Sequence, residues 1–262
     1  MSDEVKNGNT SAEGTVETAE RTVDSAVLEE MTKAGMLLGR RRSKTNPKMK
    51  KHIYANRNGF EIIDLAQTVD MIAAAGEFLK SIATKGQQVL VVGTEPAAKL
   101  AVKKFADRFG FPFVTERWLG GTLTNYEVIT TRLKYFMGLK ADQAAGRLDK
   151  YTKKERVLID KKITKLNTLF GGLERIARMP AALVVVNAGA HEAAIAEAKI
   201  MKVPVIAVAS TNANPDKINY LVLANDNGVA SIGYVLNKFE DAFEEGVKAA
   251  KVAATTLVNP VK

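Results

Sequence analysis

The sequence predicts an α/β protein: a parallel sheet covered by helices on both faces, interrupted once by an inserted helical hairpin. Two observations predict this. Short, wholly apolar runs alternate along the chain with segments of helical spacing, as strands buried on both faces do. Between Tyr126 and Met179, by contrast, no strand candidate occurs and the apolar residues fall at helical intervals.

The elements follow in order. Residues 1–27 are rich in Ser, Thr, Glu and Gly and carry six acids against Lys6 and Arg21, a balance of −4, so a disordered acidic tail is expected there. Leu28 to Leu38 reads as a short helix ending near Gly39. Arg40 to Lys51 then holds seven basic side chains and no acid. Pro47 bars a helix interior, so this run is expected to be an extended loop. Glu61–Leu65 is a strand, Thr68–Ala83 a helix, and Gln88–Val92 a buried strand closed by Gly93. Pro96–Phe109 is an amphipathic helix and Phe111–Thr115 a third strand. Later come strands over Ala182–Val186 and Pro204–Val208, a helix between them over Ala193–Met201, and a last long helix from Ala230 to Ala250.

In the interruption, Ile129, Leu133 and Phe136, then Ile159, Ile163, Leu166, Phe170 and Leu173, recur at intervals of three and four. This predicts two helices with a heptad-like seam, joined by a polar turn around Ala144–Thr152. The segment carries thirteen basic and six acidic residues. The expected organisation is an acidic tail (1–27), an α/β body (28–126 and 179–250), an inserted hairpin (127–178) and a C-terminal tail (251–262).

Composition narrows function. Net charge is +9, and with the acidic segment set apart, residues 28–262 carry +13, which points to a polyanionic partner. Cysteine is absent, which removes disulfides, thiolate nucleophiles and Cys-based zinc sites. There is no secretory signal pattern and no apolar run of roughly eighteen residues, so a cytoplasmic protein with no membrane partner is expected. Gly93 follows a strand where phosphate loops sit, but neither GxGxxG nor GxxxxGK[ST] is present, and Glu95 and Pro96 stand where glycines would be needed. The only histidines are His52 and His191, and no GxSxG occurs. No catalytic residue, metal site or cofactor is therefore expected. The competing readings are an α/β nucleotide-binding enzyme with a degenerate phosphate loop and a free-standing RNA or membrane-surface binder.

The candidate contacts form two groups. Arg40, Arg41, Arg42, Lys44, Lys48, Lys50 and Lys51, with Asn46 among them, suit a phosphate backbone, and Arg57-Asn58-Gly59 adds a polar turn. Glu116 to Asn125 contains the only tryptophan, Trp118, together with Arg117, Gly120, Gly121, Thr124 and Asn125. This is either a contact loop or a turn in which Trp118 plugs the core.

Asn46-Pro47-Lys48-Met49, Arg57-Asn58-Gly59 with Ile62-Ile63-Asp64-Leu65, and Arg117 to Asn125 (RWLGGTLTN) together resemble the ribosomal protein S2 family of the bacterial type. Val89 to Thr94, and Pro204 to Val208 followed by Thr211-Asn212 and Pro215, agree with it in order. The resemblance spans about Ala34 to Lys248. It implies a flavodoxin-like three-layer domain with an inserted α-helical coiled-coil hairpin, and no catalysis. It also implies 16S ribosomal RNA as ligand, neighbouring small-subunit ribosomal proteins as partners (ribosomal protein S-one a candidate among them), and one copy per ribosome without homo-oligomers. The chain departs from the family at Leu37 and Arg40, where His is usual, at Thr45, where an aromatic is usual, and at Asn187, Ser210 and Asn214, where Asp is common.

Overall fold

The computed structural model describes residues 24–258. The chain runs α1 (Ser25–Lys33), β1 (Leu38–Arg41), β2 (Ile53–Arg57), β3 (Phe60–Ile63), α2 (Leu65–Thr84), β4 (Val89–Val92), α3 (Pro96–Phe109), β5 (Phe113–Val114), α4 (Tyr126–Ala144) and α5 (Lys153–Phe170). It continues through β6 (Ala182–Val186), α6 (Glu192–Ile200), β7 (Val205–Ala209), β8 (Tyr220–Leu223) and α7 (Val229–Val258). Five strands form one parallel sheet in the order β5-β4-β6-β7-β8. Numbered among themselves these strands lie 2-1-3-4-5, the order of a doubly wound, flavodoxin-like sheet.

Side-chain alternation divides each strand between two cores. Ala182, Val184 and Val186 of β6 join Leu79 of α2, Phe105 of α3 and Phe239 of α7 on one face. Leu183 and Val185 join Ala194 and Ile195 of α6 on the other. Every residue of β4, β6 and β7 is buried, which is why these strands read as continuous apolar runs. Burying each Leu or Val stabilises by about 1.5–3 kcal/mol, so the sheet is a rigid floor for the loops at its ends. Gly93, just after β4, is a packing requirement: a Cβ there would meet Val102 Cγ2 at 2.8 Å and Ala98 Cβ at 3.2 Å.

Several expectations need correction. The first helix begins at Ser25, because the Asp24 carboxylate accepts from Ala26 N–H and caps it, so residues 24–27 do not belong to a tail. It ends at Lys33. The chain then turns so that Met36, like Met31, reaches the core, and Leu38 opens a strand. The basic run is not extended: it folds into 3₁₀ turns at Arg42–Lys44 and Pro47–His52, with Pro47 in the first turn of the second. Glu61–Ile63 lies outside the parallel sheet, in a separate antiparallel sheet of order β1-β3-β2. The β2–β3 hairpin turns at Asn58 (φ 52°) and Gly59 (φ 79°), the pair of positive-φ residues that a tight hairpin demands. β8 is an additional edge strand, and α7 continues past Ala250 to Val258, into the expected C-terminal tail. The acidic stretch 1–23 and residues 259–262 lie outside the described residues.

The inserted segment consists of two antiparallel helices. Gln143 of α4 donates to Asp160 of α5 at 2.9 Å, and Lys162 of α5 to the Tyr135 hydroxyl of α4 at 2.8 Å. Thr152 and Glu155 form a capping box that starts α5. Ile129, Leu133, Phe136, Ile163 and Phe170 are buried along the seam, with Ile159 and Leu166 packed beside them. At its base the seam runs through Phe170 and Leu173 into the second core.

Candidate nucleic-acid interface

Both groups of expected contacts stand at the C-terminal edge of the parallel sheet, the edge where open α/β sheets bind ligands. The Trp118 segment leaves the end of β5. The basic segment is pinned across the ends of β7 and β8.

Three anchors hold the basic segment. Asn46 N–H donates to the Thr211 carbonyl at 2.9 Å, while the Asn46 side chain accepts from Lys48 N–H at 3.0 Å and caps the second 3₁₀ turn. Met49 is fully buried in the core beneath. Arg40 is the third anchor: its Nη2 donates to Asp226 Oδ1 at 2.9 Å and to Asn227 Oδ1 at 3.0 Å. Asp226 is 1% exposed, and burial pushes its carboxyl above the ordinary range despite the Arg40 charge beside it. The guanidinium of Arg40 is thus spent inside the protein. Lys48 is partly neutralised by an ion pair with Asp216.

The remaining cations point out. Arg41, Arg42, Lys44, Lys50, Lys51 and Arg57 are exposed, and none has a carboxylate partner among the described residues. Arg41 lies over the Phe60 ring at 5.5 Å, which steadies it without neutralising it. Asn58 sits exposed at the hairpin tip.

The second loop is organised by a residue that sequence reasoning missed, Glu197 of α6. Its Oε1 accepts from Trp118 Nε1–H and Gly121 N–H, both at 2.9 Å. Its Oε2 accepts from Leu123 N–H at 3.0 Å, Thr124 N–H at 3.3 Å and the Thr124 hydroxyl at 3.2 Å. Burial alone would raise this carboxyl, but the donors outweigh it and hold it below the ordinary range. Trp118 is therefore half-buried against the second core with its polar edge turned inward, and Thr124, although exposed, commits its N–H and hydroxyl to Glu197. Arg117, Gly120 and Asn125 are exposed, and Gly121 adopts φ 88°. Glu197 shares a helix face with Ala194 and Ala198, both buried, and an acid on an otherwise apolar face was the available signal.

The sheet's switch point, between β4 and β6, is closed. His191 is 3% exposed, its Nδ1 2.8 Å from the Asn187 carbonyl, while Nε2 accepts from Thr94 N–H at 3.2 Å. With Nδ1–H donating and Nε2 accepting, the imidazole is neutral, and burial lowers its pKa. It fills the place where a nucleotide phosphate would enter such a fold. Among the described residues no group of three or more His, Cys, Asp or Glu is placed to hold a metal ion. Asn187 and Asn214 act as turn caps, accepting from Ala190 N–H and Asp216 N–H respectively.

Residues 31–246 match the profile of the family described as ribosomal protein S2. The chain is similar to the small ribosomal subunit protein uS2 of Chlorobaculum tepidum, with 37% identity over 218 residues, 83% of this chain and 88% of that protein. It is also similar to the small ribosomal subunit protein uS2 of Roseiflexus sp. (strain RS-1), with 39% identity over 228 residues, 87% of this chain and 86% of that protein.

Proposed function

We propose, from the premise that this chain belongs to the ribosomal protein S2 family, that it binds 16S ribosomal RNA through the basic segment and helps assemble or stabilise the small subunit. Membership makes it a structural constituent of the small ribosomal subunit and not an enzyme. The observation that supports the RNA reading is the state of the cations. Arg41, Arg42, Lys44, Lys50 and Lys51 are exposed on a backbone held by Asn46, Met49 and Arg40, with no carboxylate partner among the described residues. A solvated surface charge gains little from such anchoring, whereas a phosphate backbone requires cations at fixed spacing.

Arg57, Asn58, Arg117, Gly120, Thr124 and Asn125 form the outer part of the same surface in this reading, and Trp118 and Gly121 shape it from within. The helical pair is a basic coiled-coil arm on the α/β body, reaching further rRNA or neighbouring ribosomal proteins, ribosomal protein S-one a candidate among them. The protein acts ribosome-bound in the cytoplasm, one copy per ribosome. Among the described residues no helix is long and apolar enough to cross a membrane.

The test is co-sedimentation of the tagged chain with small subunits across a salt series. Stoichiometric recovery at moderate salt is expected. Sedimentation as a free protein under all conditions would refute the proposal.

A further inference from the structure

We propose that the groove between α4, α5 and the Trp118 loop is a docking site for a short acidic amphipathic helix of a partner protein. This rests on the reading of α4 and α5 as an arm toward neighbouring proteins, and adds the chemistry of the segment that the arm takes.

The groove has a volume of about 550 Å³. Its floor is aliphatic, made by Leu119 of the Trp118 loop, Val128 and Ile129 of α4, and Leu166 and Leu169 of α5. Its rim is cationic. Arg132 of α4 and Lys162 and Lys165 of α5 line it, and no carboxylate of the described residues does. Lys162 is steadied by Tyr135: its Nζ donates to the hydroxyl at 2.8 Å and lies 4.9 Å from the ring centroid. Arg132 and Lys165 are exposed, with no acidic partner among the described residues.

Helical spacing makes this one surface. Val128, Arg132 and Tyr135 follow one another at intervals of four and three on α4. Leu158, Lys162, Lys165 and Leu169 follow at four, three and four on α5, so each set lies along one face of its helix. The contact between Tyr135 and Lys162 turns the two faces to the same side. Val128, Tyr135 and Leu158 expose 45%, 50% and 58% of their surface there. Apolar surface left uncovered and rimmed by polar groups marks a face that meets another molecule. From Leu158 to Leu169 the face runs roughly 16 Å at 1.5 Å per residue, the length of a three-turn helix.

The floor decides the class of occupant. A nucleic-acid strand would use the cations, but its bases stack on flat rings. Phe170, the only ring among the described residues lining the groove, is buried. An aliphatic floor instead accepts Leu, Ile or Met side chains presented at i, i+3, i+4 and i+7 of a helix. Cations on the rim then require Glu or Asp on the flanks of that helix.

Fluorescence anisotropy on the full chain tests this with three labelled probes. They are a helical peptide of about eighteen residues with leucines at that spacing and Glu flanks, the same peptide with Lys flanks, and dodecauridylate. The native chain is expected to bind the Glu peptide and to prefer it to the Lys peptide. Arg132→Glu with Lys165→Glu is compared with a control of equal net charge, Lys85→Glu with Lys238→Glu, at exposed positions of the α2 and α7 layer. Relative to the control, the groove pair is expected to weaken the Glu peptide about tenfold and to reverse the preference between peptides, while dodecauridylate differs by less than about twofold. Val128→Ser, at an exposed position outside the buried seam, is expected to weaken the Glu peptide about three- to fivefold. Equal weakening by the groove and control pairs would show that net charge alone holds the peptide, and would overturn the proposal. Failure of the native chain to bind the Glu peptide would overturn it too, and dodecauridylate lost on groove reversal alone would then make the face an RNA contact. The small subunit is absent from this assay, so a chain that failed to co-sediment with it would count against the ribosomal setting of the arm and leave these affinities to decide the groove.

Discussion

Replacing Glu197 by Gln should release the Trp118 loop while leaving the sheet intact. The carboxylate accepts five hydrogen bonds through two oxygens, from Trp118, Gly121, Leu123 and twice from Thr124. An amide of the same shape offers one acceptor oxygen and presents an NH₂ to the donors on the other side. If the NH₂ takes the place of Oε2, it faces the N–H groups of Leu123 and Thr124. Leu123 is fully buried, so water reaches its N–H only if the loop opens. A buried donor left without a partner costs about 1–3 kcal/mol, a cost that falls on the Leu123 N–H, because Thr124 is exposed and its N–H can turn to water. Because Trp118 is half-buried and the loop can open, the lower half of that range is expected to appear as local opening. Trp118 is the only tryptophan, so its fluorescence reports on this loop alone. The variant should show a red-shifted emission, faster amide exchange at Gly121, Leu123 and Thr124, and little change in exchange of β6 and β7. Unchanged emission and unchanged exchange in the loop would refute the argument that one carboxylate organises it.

Two further outcomes are expected. The Glu197 carboxyl is depressed in the folded state, so its contribution is complete above the ordinary carboxylate range and is lost as pH falls through the depressed value; Trp118 emission should shift red at a pH below that of ordinary carboxylate titration, and a shift centred at neutral pH would contradict the assignment. Ile163→Asp places a carboxylate in a seam position that is 8% exposed and should cost several kcal/mol; hydrogen exchange should rise in α4 and α5 while β6 and β7 stay protected, and opening of the sheet in step with the helices would show that the pair is not an appendage.

The parallel sheet was legible because every residue of β4, β6 and β7 is buried, and burial on both faces leaves an apolar run that little else produces. α3 was legible to the residue, with Pro96 at its start and Gly110 just past its end. The small antiparallel sheet was not. β2 is exposed at Tyr54, Ala55, Asn56 and Arg57, so it has no apolar pattern, and its one strong signal was the Asn58-Gly59 turn, read only as polar. β8 sits at the sheet edge with Tyr220 and Leu221 only partly buried, which weakens the same signature.

Within the candidate interface, charge located the segment but could not sort its members. Arg40 and Arg41 are neighbours in sequence, yet one is bound to Asp226, 186 residues away, and the other is free of carboxylates among the described residues. That division depends on β8 ending beside β1, a tertiary fact without a local trace. Glu197 is likewise more than seventy residues from the loop it holds.

The central claim, that the docked basic segment carries the RNA, is tested most directly by the salt dependence of binding. Arg41, Arg42, Lys44 and Lys51 are changed to Ala, leaving the anchors Arg40, Asn46 and Met49 in place. Binding to 16S rRNA fragments is followed over a salt series. If each cation meets one phosphate, the slope of log affinity against log salt should become shallower by about 0.7–0.9 per contact, or about three in all. A control with Lys85, Lys103, Lys104 and Lys238 changed to Ala, all exposed and on the α2, α3 and α7 layer, should keep the native slope. The melting temperature of both should barely move. A basic-segment variant that retained the native slope would contradict the account and place the RNA on α4 and α5 or on the Trp118 loop.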